Sequence, residues 1–107
     1  MEERHRKLIL DLKEKYLHIG IWGCGNKAKS FITLFREIEP EYIIDNNDQL
    51  WGGYLPRSGL AIAPPEKNHI NQCDLILVFA VTYKMEIKDR LVNDFHYKGD
   101  IIFADEL

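Results

Sequence analysis

Short apolar runs alternate with amphipathic segments along the chain, starting with an amphipathic segment at residues 2–16. Within it Leu8 and Leu12 lie four residues apart with Ile9 beside them, while charged residues fill most of the remaining positions. This spacing predicts a helix with one apolar stripe. The following short run, 17–22, is mainly apolar and is bounded by glycines, which is typical of a buried strand. The chain is therefore expected to open with a helix and a first buried strand.

The same alternation continues through the middle of the chain. Apolar residues recur at helical spacing from 26 to about 38, which predicts a second helix. Brief apolar runs at 42–44 and 60–63 predict the second and third strands. Pro65 suits the first position of a short helix over 65–71, because the N–H that proline lacks would have no helical partner there.

Residues 74–81 form the most continuously apolar segment of the chain. A strand wetted on one face would alternate apolar and polar residues, so this run predicts a central parallel strand. A last strand is expected at 101–104. The complete series of elements predicts a three-layer α/β domain with a mostly parallel five-stranded sheet, strand order 3-2-1-4-5 and an additional N-terminal helix.

A helix is expected between the fourth and fifth strands. Thr82 can cap its N-terminus, and Glu86 can pair with Arg90 one turn further on. The apolar residues that would share its buried face are Ile87, Leu91 and Phe95.

Length and composition predict one soluble cytoplasmic domain spanning residues 1–107. The chain is 46% hydrophobic and 29% charged, and it has neither a long apolar run nor a polar low-complexity tract. Fourteen basic against 17 acidic residues give a net charge of −3, so we expect no nucleic-acid partner and no membrane partner. Cys24 and Cys73 lie far apart and form no close pair with each other or with a histidine, so we expect reduced thiols and no metal.

The turn after the first strand carries the clearest candidate chemistry. Gly23 allows a sharp bend, Gly25 allows a phosphate to approach the backbone, and Ala28 is small enough for close helix-strand contact. N–H groups at the start of the helix, including those of Asn26 and Lys27, would face the anion. The alternative is that the glycines serve only a tight turn.

Asp45 ends the second strand about 20 residues after the glycine turn, where a carboxylate can bind ribose hydroxyls in a dinucleotide fold. An Asx turn explains the same residue equally well. Thr82 and Tyr83 follow the fourth strand and would border the crevice where the strand order reverses. The predicted cofactor-binding residues are Gly23, Cys24, Gly25, Asn26, Lys27, Ala28, Asp45, Thr82 and Tyr83; no catalytic residue is assigned.

Two further features have open interpretations. The loop from Trp51 to Arg57 contains Tyr54 as a second aromatic residue, so it can stack on a base or sugar and pair with a phosphate, or simply pack over the edge of the sheet. Cys24 would have a lowered pKa at a helix N-terminus. No histidine is adjacent to it in sequence to activate it, so a structural cysteine is preferred over a nucleophile.

The chain resembles the Rossmann-like C-terminal domain of sugar C-methyltransferases, enzymes that act on nucleotide-linked deoxysugars, and a similar pattern precedes sugar acyltransferases and some polysaccharide epimerases. The resemblance covers nearly the whole chain. It implies that the chain holds a nucleotide or nucleotide-sugar, while the S-adenosylmethionine site and catalytic residues of such enzymes belong to other domains. Its motifs are the leading helix, the glycine turn with its Lys-Ala (23–29), Ile43-Ile44-Asp45, the loop 52–56, Ala63-Pro64-Pro65-Glu66 and the apolar fourth strand.

Three functions are compatible with these features. The first is a non-catalytic domain that binds a nucleotide or nucleotide-sugar, alone or within a larger carbohydrate-modifying, methyltransferase-like enzyme whose other domains would be its partners. The second is a small NAD(P)-dependent oxidoreductase or sensor acting as a homodimer, since the chain holds about half of a full dinucleotide site. The third is a protein-interaction scaffold without a ligand.

Overall fold

A computed structural model describes residues 3–35, 37–55 and 58–106, with side chains left out of account at 3–5 and 81. Its core is one five-stranded, all-parallel sheet with the order β3-β2-β1-β4-β5. This confirms the predicted fold class and strand order. The strands are β1 (Ile19–Trp22), β2 (Ile43–Ile44), β3 (Ile62–Ala63), β4 (Leu75–Val78) and β5 (Asp100–Phe103).

Helices connect the strands and cover both faces of the sheet. They are α1 (Glu3–Lys15), α2 (Asn26–Leu34), α3 (Lys67–Asn71) and α4 (Lys84–Asp89), and α4 continues into a π-helix at Arg90–Asp94. Short 3₁₀ turns lie at Asp48–Leu50, Val81–Tyr83 and Ala104–Glu106.

The centre of the sheet is the pairing of β1 with β4, which runs in register from Ile19 opposite Leu75 to Trp22 opposite Val78. Every residue of both strands is buried, as expected of parallel strands that are covered on both faces. Side chains from alternate positions enter two separate apolar clusters. One cluster includes Ile21 and residues of α1 and α2; the other includes Trp22 and residues of α3, α4 and the π-helix.

Polar side chains fix the edge of the sheet where the strands begin. Asp74 accepts hydrogen bonds from the backbone N–H groups of Leu17 and His18, at 2.9 and 2.8 Å. The Tyr16 hydroxyl, at the end of the first helix, donates to the Asp100 carboxylate at the start of β5. This hydrogen bond therefore attaches the end of the N-terminal helix to β5, in addition to the packing of the helix in an apolar cluster.

Two predicted helix boundaries are wrong. The second helix ends at Leu34 rather than near residue 38, because Phe35 leaves the helical conformation (φ −118°, ψ 63°) while Ile38 is still buried against the core. Pro65 is not the first residue of α3. The backbone of Glu66 is extended and forms the helix N-cap, so the helix cannot begin before Lys67.

The segment after β4 also differs from its prediction. Thr82 does not cap α4: Tyr83 N–H bonds to the carbonyl of Ala80, which tightens residues 81–83 into a 3₁₀ turn and makes Tyr83 the N-cap. The predicted pair of Glu86 with Arg90 does not form. The helix becomes a π-helix at Arg90, and the Arg90 guanidinium binds other residues, which are described below.

Candidate functional site

The glycine turn connects β1 to α2 and packs against the residues that follow β4. Gly23 has a φ of +113°, a conformation that other residues rarely adopt. A Cβ at this position would lie 2.9 Å from the backbone nitrogen of Ala80. Its N–H donates to the carbonyl of Ile44 at 2.7 Å. The sharp bend expected of Gly23 is therefore observed, and it brings the ends of three strands together.

Gly25 lies at the open side of the same turn. Its backbone is extended (φ −102°, ψ −174°), it is the N-cap of α2, and a Cβ there would have no atom within 4 Å. The first bond of the helix runs from the Lys29 N–H to the Gly25 carbonyl, so the N–H groups of residues 26–28 have no partner within the helix. Asn26 and Lys27 are exposed, whereas Ala28 is fully buried in the contact with the sheet.

Asp45 contacts the glycine turn directly. Its Oδ2 accepts a hydrogen bond from the Cys24 N–H at 2.8 Å, and its Oδ1 accepts one from the Asn47 N–H at 2.8 Å. The second bond is the Asx turn considered for this residue; the first was not foreseen. A carboxylate has roughly four acceptor positions, so about half of its capacity remains for ligand hydroxyls.

The pKa of Cys24 is raised, which contradicts the lowered pKa that a helix N-terminus could give and agrees with the preferred structural role. Burial raises the pKa of this thiol and the nearby Asp45 raises it further, although Lys29 acts in the opposite direction. The thiolate is therefore disfavoured, which argues against a nucleophile. Both Cys24 and Cys73 are free thiols, as predicted.

The residues that follow β4 reach the same edge of the sheet. Phe79 and Ala80 contact Gly23, and the Phe79 N–H donates to the carbonyl of Trp22 at 2.8 Å. Thr82 and Tyr83 come next in the 3₁₀ turn, with both side chains exposed. Both residues therefore follow β4, and Thr82 has no capping role there. Their place beside a bound ligand stays a prediction.

Arg90 also lies at this edge, and the sequence analysis did not identify it as a candidate site residue. Its guanidinium lies 5.5 Å from the ring centroids of both Trp22 and Phe95, and its Nη1 donates to Asn46 Oδ1 at 2.8 Å. The Phe95 N–H bonds back to the Arg90 carbonyl, which defines the π-helix. π-Helical turns occur frequently at functional sites, yet the helical spacing of the sequence gives no sign of one here.

The Trp51 loop stands beside Asp45. The Trp51 indole Nε1 donates to the Asp45 carbonyl at 2.7 Å, while 41% of the residue remains exposed. Tyr54 is 68% exposed and pairs through its backbone with Ala61. Arg57, which was predicted to pair with a phosphate, lies outside the described residues, as does Pro56.

Two absences hold for the described part of the chain. Within residues 3–35, 37–55 and 58–106, no group of three or more His, Cys, Asp or Glu side chains is placed to hold a metal ion. No helix in these ranges has the length and apolar character needed to cross a membrane.

The strand order and the glycine turn between β1 and α2 define a Rossmann-like α/β domain. The family model of the C-methyltransferase C-terminal domain matches residues 1–104, so the chain belongs to that family. This confirms the resemblance found in the sequence motifs. No curated protein and no solved structure matches the chain.

Proposed function

We propose that this domain binds a nucleotide or nucleotide-sugar without itself catalysing a reaction, as part of a carbohydrate-modifying methyltransferase-like enzyme. The other domains of such an enzyme would be its partners. The family membership supports the enzyme context. The two free thiols fit the cytoplasmic location that forms part of this proposal.

The observation that carries the proposal is the arrangement of Gly25 and Asp45 around one turn. Gly25 leaves open space in front of the N-terminus of α2, where N–H groups and the helix dipole favour a phosphate. Asp45 is hydrogen-bonded to Cys24 in the middle of that turn and retains acceptor positions for hydroxyl groups. Phosphate and sugar hydroxyls are adjacent in every nucleotide. The N–H groups of α2 and the Asp45 carboxylate are therefore suited to binding one ligand.

Electrostatics at the turn support an anionic ligand despite the net charge of −3. Lys27 and Lys29 are exposed on the first turn of α2, close to the open space at Gly25. The attraction is local and is expected to weaken as salt screens it.

Calorimetry with the purified chain tests the proposal. The panel contains nucleoside diphosphates, nucleotide-sugars, dinucleotides and S-adenosylmethionine. We expect the first two groups to bind and the last to give no heat of binding. Preferential binding of dinucleotides would favour the homodimeric oxidoreductase, and the absence of any binding would favour the scaffold.

A graded series at Gly25 then locates the ligand. Gly25→Ala and Gly25→Val should leave the melting temperature nearly unchanged, because the backbone is extended and no atom lies near the new side chain. Affinity should fall in the same order as the side chain fills the phosphate position. Unchanged affinity in Gly25→Val would exclude this turn as the binding site.

A further inference from the structure

We propose that Trp51 is the surface on which the base of a bound nucleotide stacks. This inference rests on the proposed function, which it extends from phosphate and ribose to the nucleobase.

The Trp51 ring is held in place before any ligand arrives. Its Nε1 donates to the carbonyl of Asp45 at 2.7 Å, so the polar edge of the indole is bound to the backbone at the end of β2. The residue nevertheless keeps 41% of its surface exposed. An aromatic ring fixed in this way loses little conformational freedom when a ligand packs against it.

The loop that carries Trp51 is itself attached to the sheet. The Gly52 N–H donates to the Ile62 carbonyl at 3.1 Å, and the Ile62 N–H donates to the Gly53 carbonyl at 2.9 Å. On the other side, Asn47 Oδ1 accepts from the Gln49 N–H and caps the 3₁₀ turn that precedes Trp51. The ring position is thus determined by β2 and β3 rather than by a free loop.

The order of groups along this edge matches the order of groups in a nucleotide. The N-terminus of α2 offers N–H donors, the Asp45 carboxylate is bonded to Cys24 beside it, and the Asp45 backbone carbonyl is bonded to Trp51. Phosphate, ribose and base follow one another in the same sequence. Every base has a π-face, and stacking on an aromatic side chain tolerates different bases. We therefore assign the exposed face of Trp51 to the base rather than to the sugar of a nucleotide-sugar.

The test uses the intact chain with thymidine diphosphate, uridine diphosphate and adenosine diphosphate, and ribose 5-phosphate as a probe without a base. Calorimetry gives the affinity, and tryptophan fluorescence reports stacking. The chain has two tryptophans, and Trp22 is only 1% exposed. Quenching by a ligand should therefore come from Trp51.

Three variants separate stacking from loop structure. Trp51→Leu should weaken all three diphosphates by roughly 10-fold or more, within the range that loss of one stacked base gives, and should abolish the quenching. Trp51→Phe keeps an aromatic face and should retain most of the affinity. Tyr54→Leu, an exposed aromatic change in the same loop, should alter neither, and ribose 5-phosphate should bind Trp51→Leu as it binds the unmodified chain.

The outcomes distinguish this inference from the function on which it rests. If the unmodified chain binds none of the diphosphates, both are wrong. If it binds them and Trp51→Leu binds them equally well, only the stacking role is wrong. An equal loss of ribose 5-phosphate binding in Trp51→Leu would also overturn it, since the loss would then not depend on a base.

Discussion

The Asp45 carboxylate accepts a hydrogen bond from the backbone N–H of Cys24, 21 positions earlier in the chain. The bond joins the loop after β2 to the glycine turn after β1. Oδ1 of the same carboxylate accepts a hydrogen bond from the Asn47 N–H. One side chain is therefore hydrogen-bonded to both the turn and the loop. Asp45 thus contributes to the structure of the site whether or not a ligand is present.

Replacing Asp45 with asparagine should lower the free energy of unfolding by about 1–3 kcal/mol, because one backbone N–H loses its charged acceptor and faces an amide NH₂ instead. Urea denaturation followed by circular dichroism measures the change. Asp48→Asn is the matched control, since the exposed Asp48 has as its side-chain contact a 3.3 Å hydrogen bond from neighbouring Gln49. Equal stabilities of the two variants would show that the Asp45–Cys24 bond contributes little.

The same substitution should destabilise the protein at one glycine of the turn and have little effect at the other. Gly23→Ala forces a side chain into a positive φ and against the Ala80 nitrogen, so we expect a loss of about 1–3 kcal/mol or more. Gly25→Ala meets no atom and should be nearly neutral. Melting temperatures of the pair provide the comparison, and a stable Gly23→Ala would contradict the close contact between β1 and β4.

Both thiols should react slowly with a disulfide reagent at pH 8. Burial raises the pKa of Cys73 to about 12 and also raises that of Cys24, which lowers the thiolate fraction. We expect the half-buried Cys24 to react more slowly than glutathione, and Cys73 to react only on unfolding. Cys24→Ser should remove the faster phase and Cys73→Ser should keep it. A Cys24 phase faster than glutathione would restore the nucleophile hypothesis.

Asp74 should make stability depend on pH in the acidic range. Burial alone would raise its pKa, but the N–H groups of Leu17 and His18 outweigh that effect and lower the pKa below the ordinary value of 3.8. Its stabilising contribution is therefore complete above that value and is lost as the pH falls through the lowered pKa.

Unfolding of Asp74→Asn measured from pH 7 to pH 2 tests this dependence. The difference in stability from the unmodified chain should be largest above about pH 4 and should shrink at lower pH. Asp11→Asn, on the exposed side of α1, serves as the control and should differ little at any pH. A constant difference for Asp74→Asn would show that its hydrogen bonds do not depend on the charge.

Sequence reasoning succeeded where one local pattern determines the structure. The apolar run of β4 predicted a buried central strand, and the glycines between β1 and α2 predicted a sharp turn, because both depend on neighbouring residues. The Asp45–Cys24 bond depends instead on which strands become neighbours and on exact loop geometry. The π-helix at Arg90 was missed because its spacing differs from a regular helix by one residue, with no distinctive composition.

The bond between Tyr16 and Asp100 joins residues 84 positions apart and has a consequence for how the molecule assembles. The N-terminal helix precedes every strand of the sheet in the chain, yet this polar contact requires β5, the last strand. Contacts between such distant residues slow folding because a long loop must close before they form. Final docking of the helix is thus expected to be a late step. Shortening the chain before Asp100 should leave the helix attached by its apolar stripe and by the ion pair between Arg6 and Glu37.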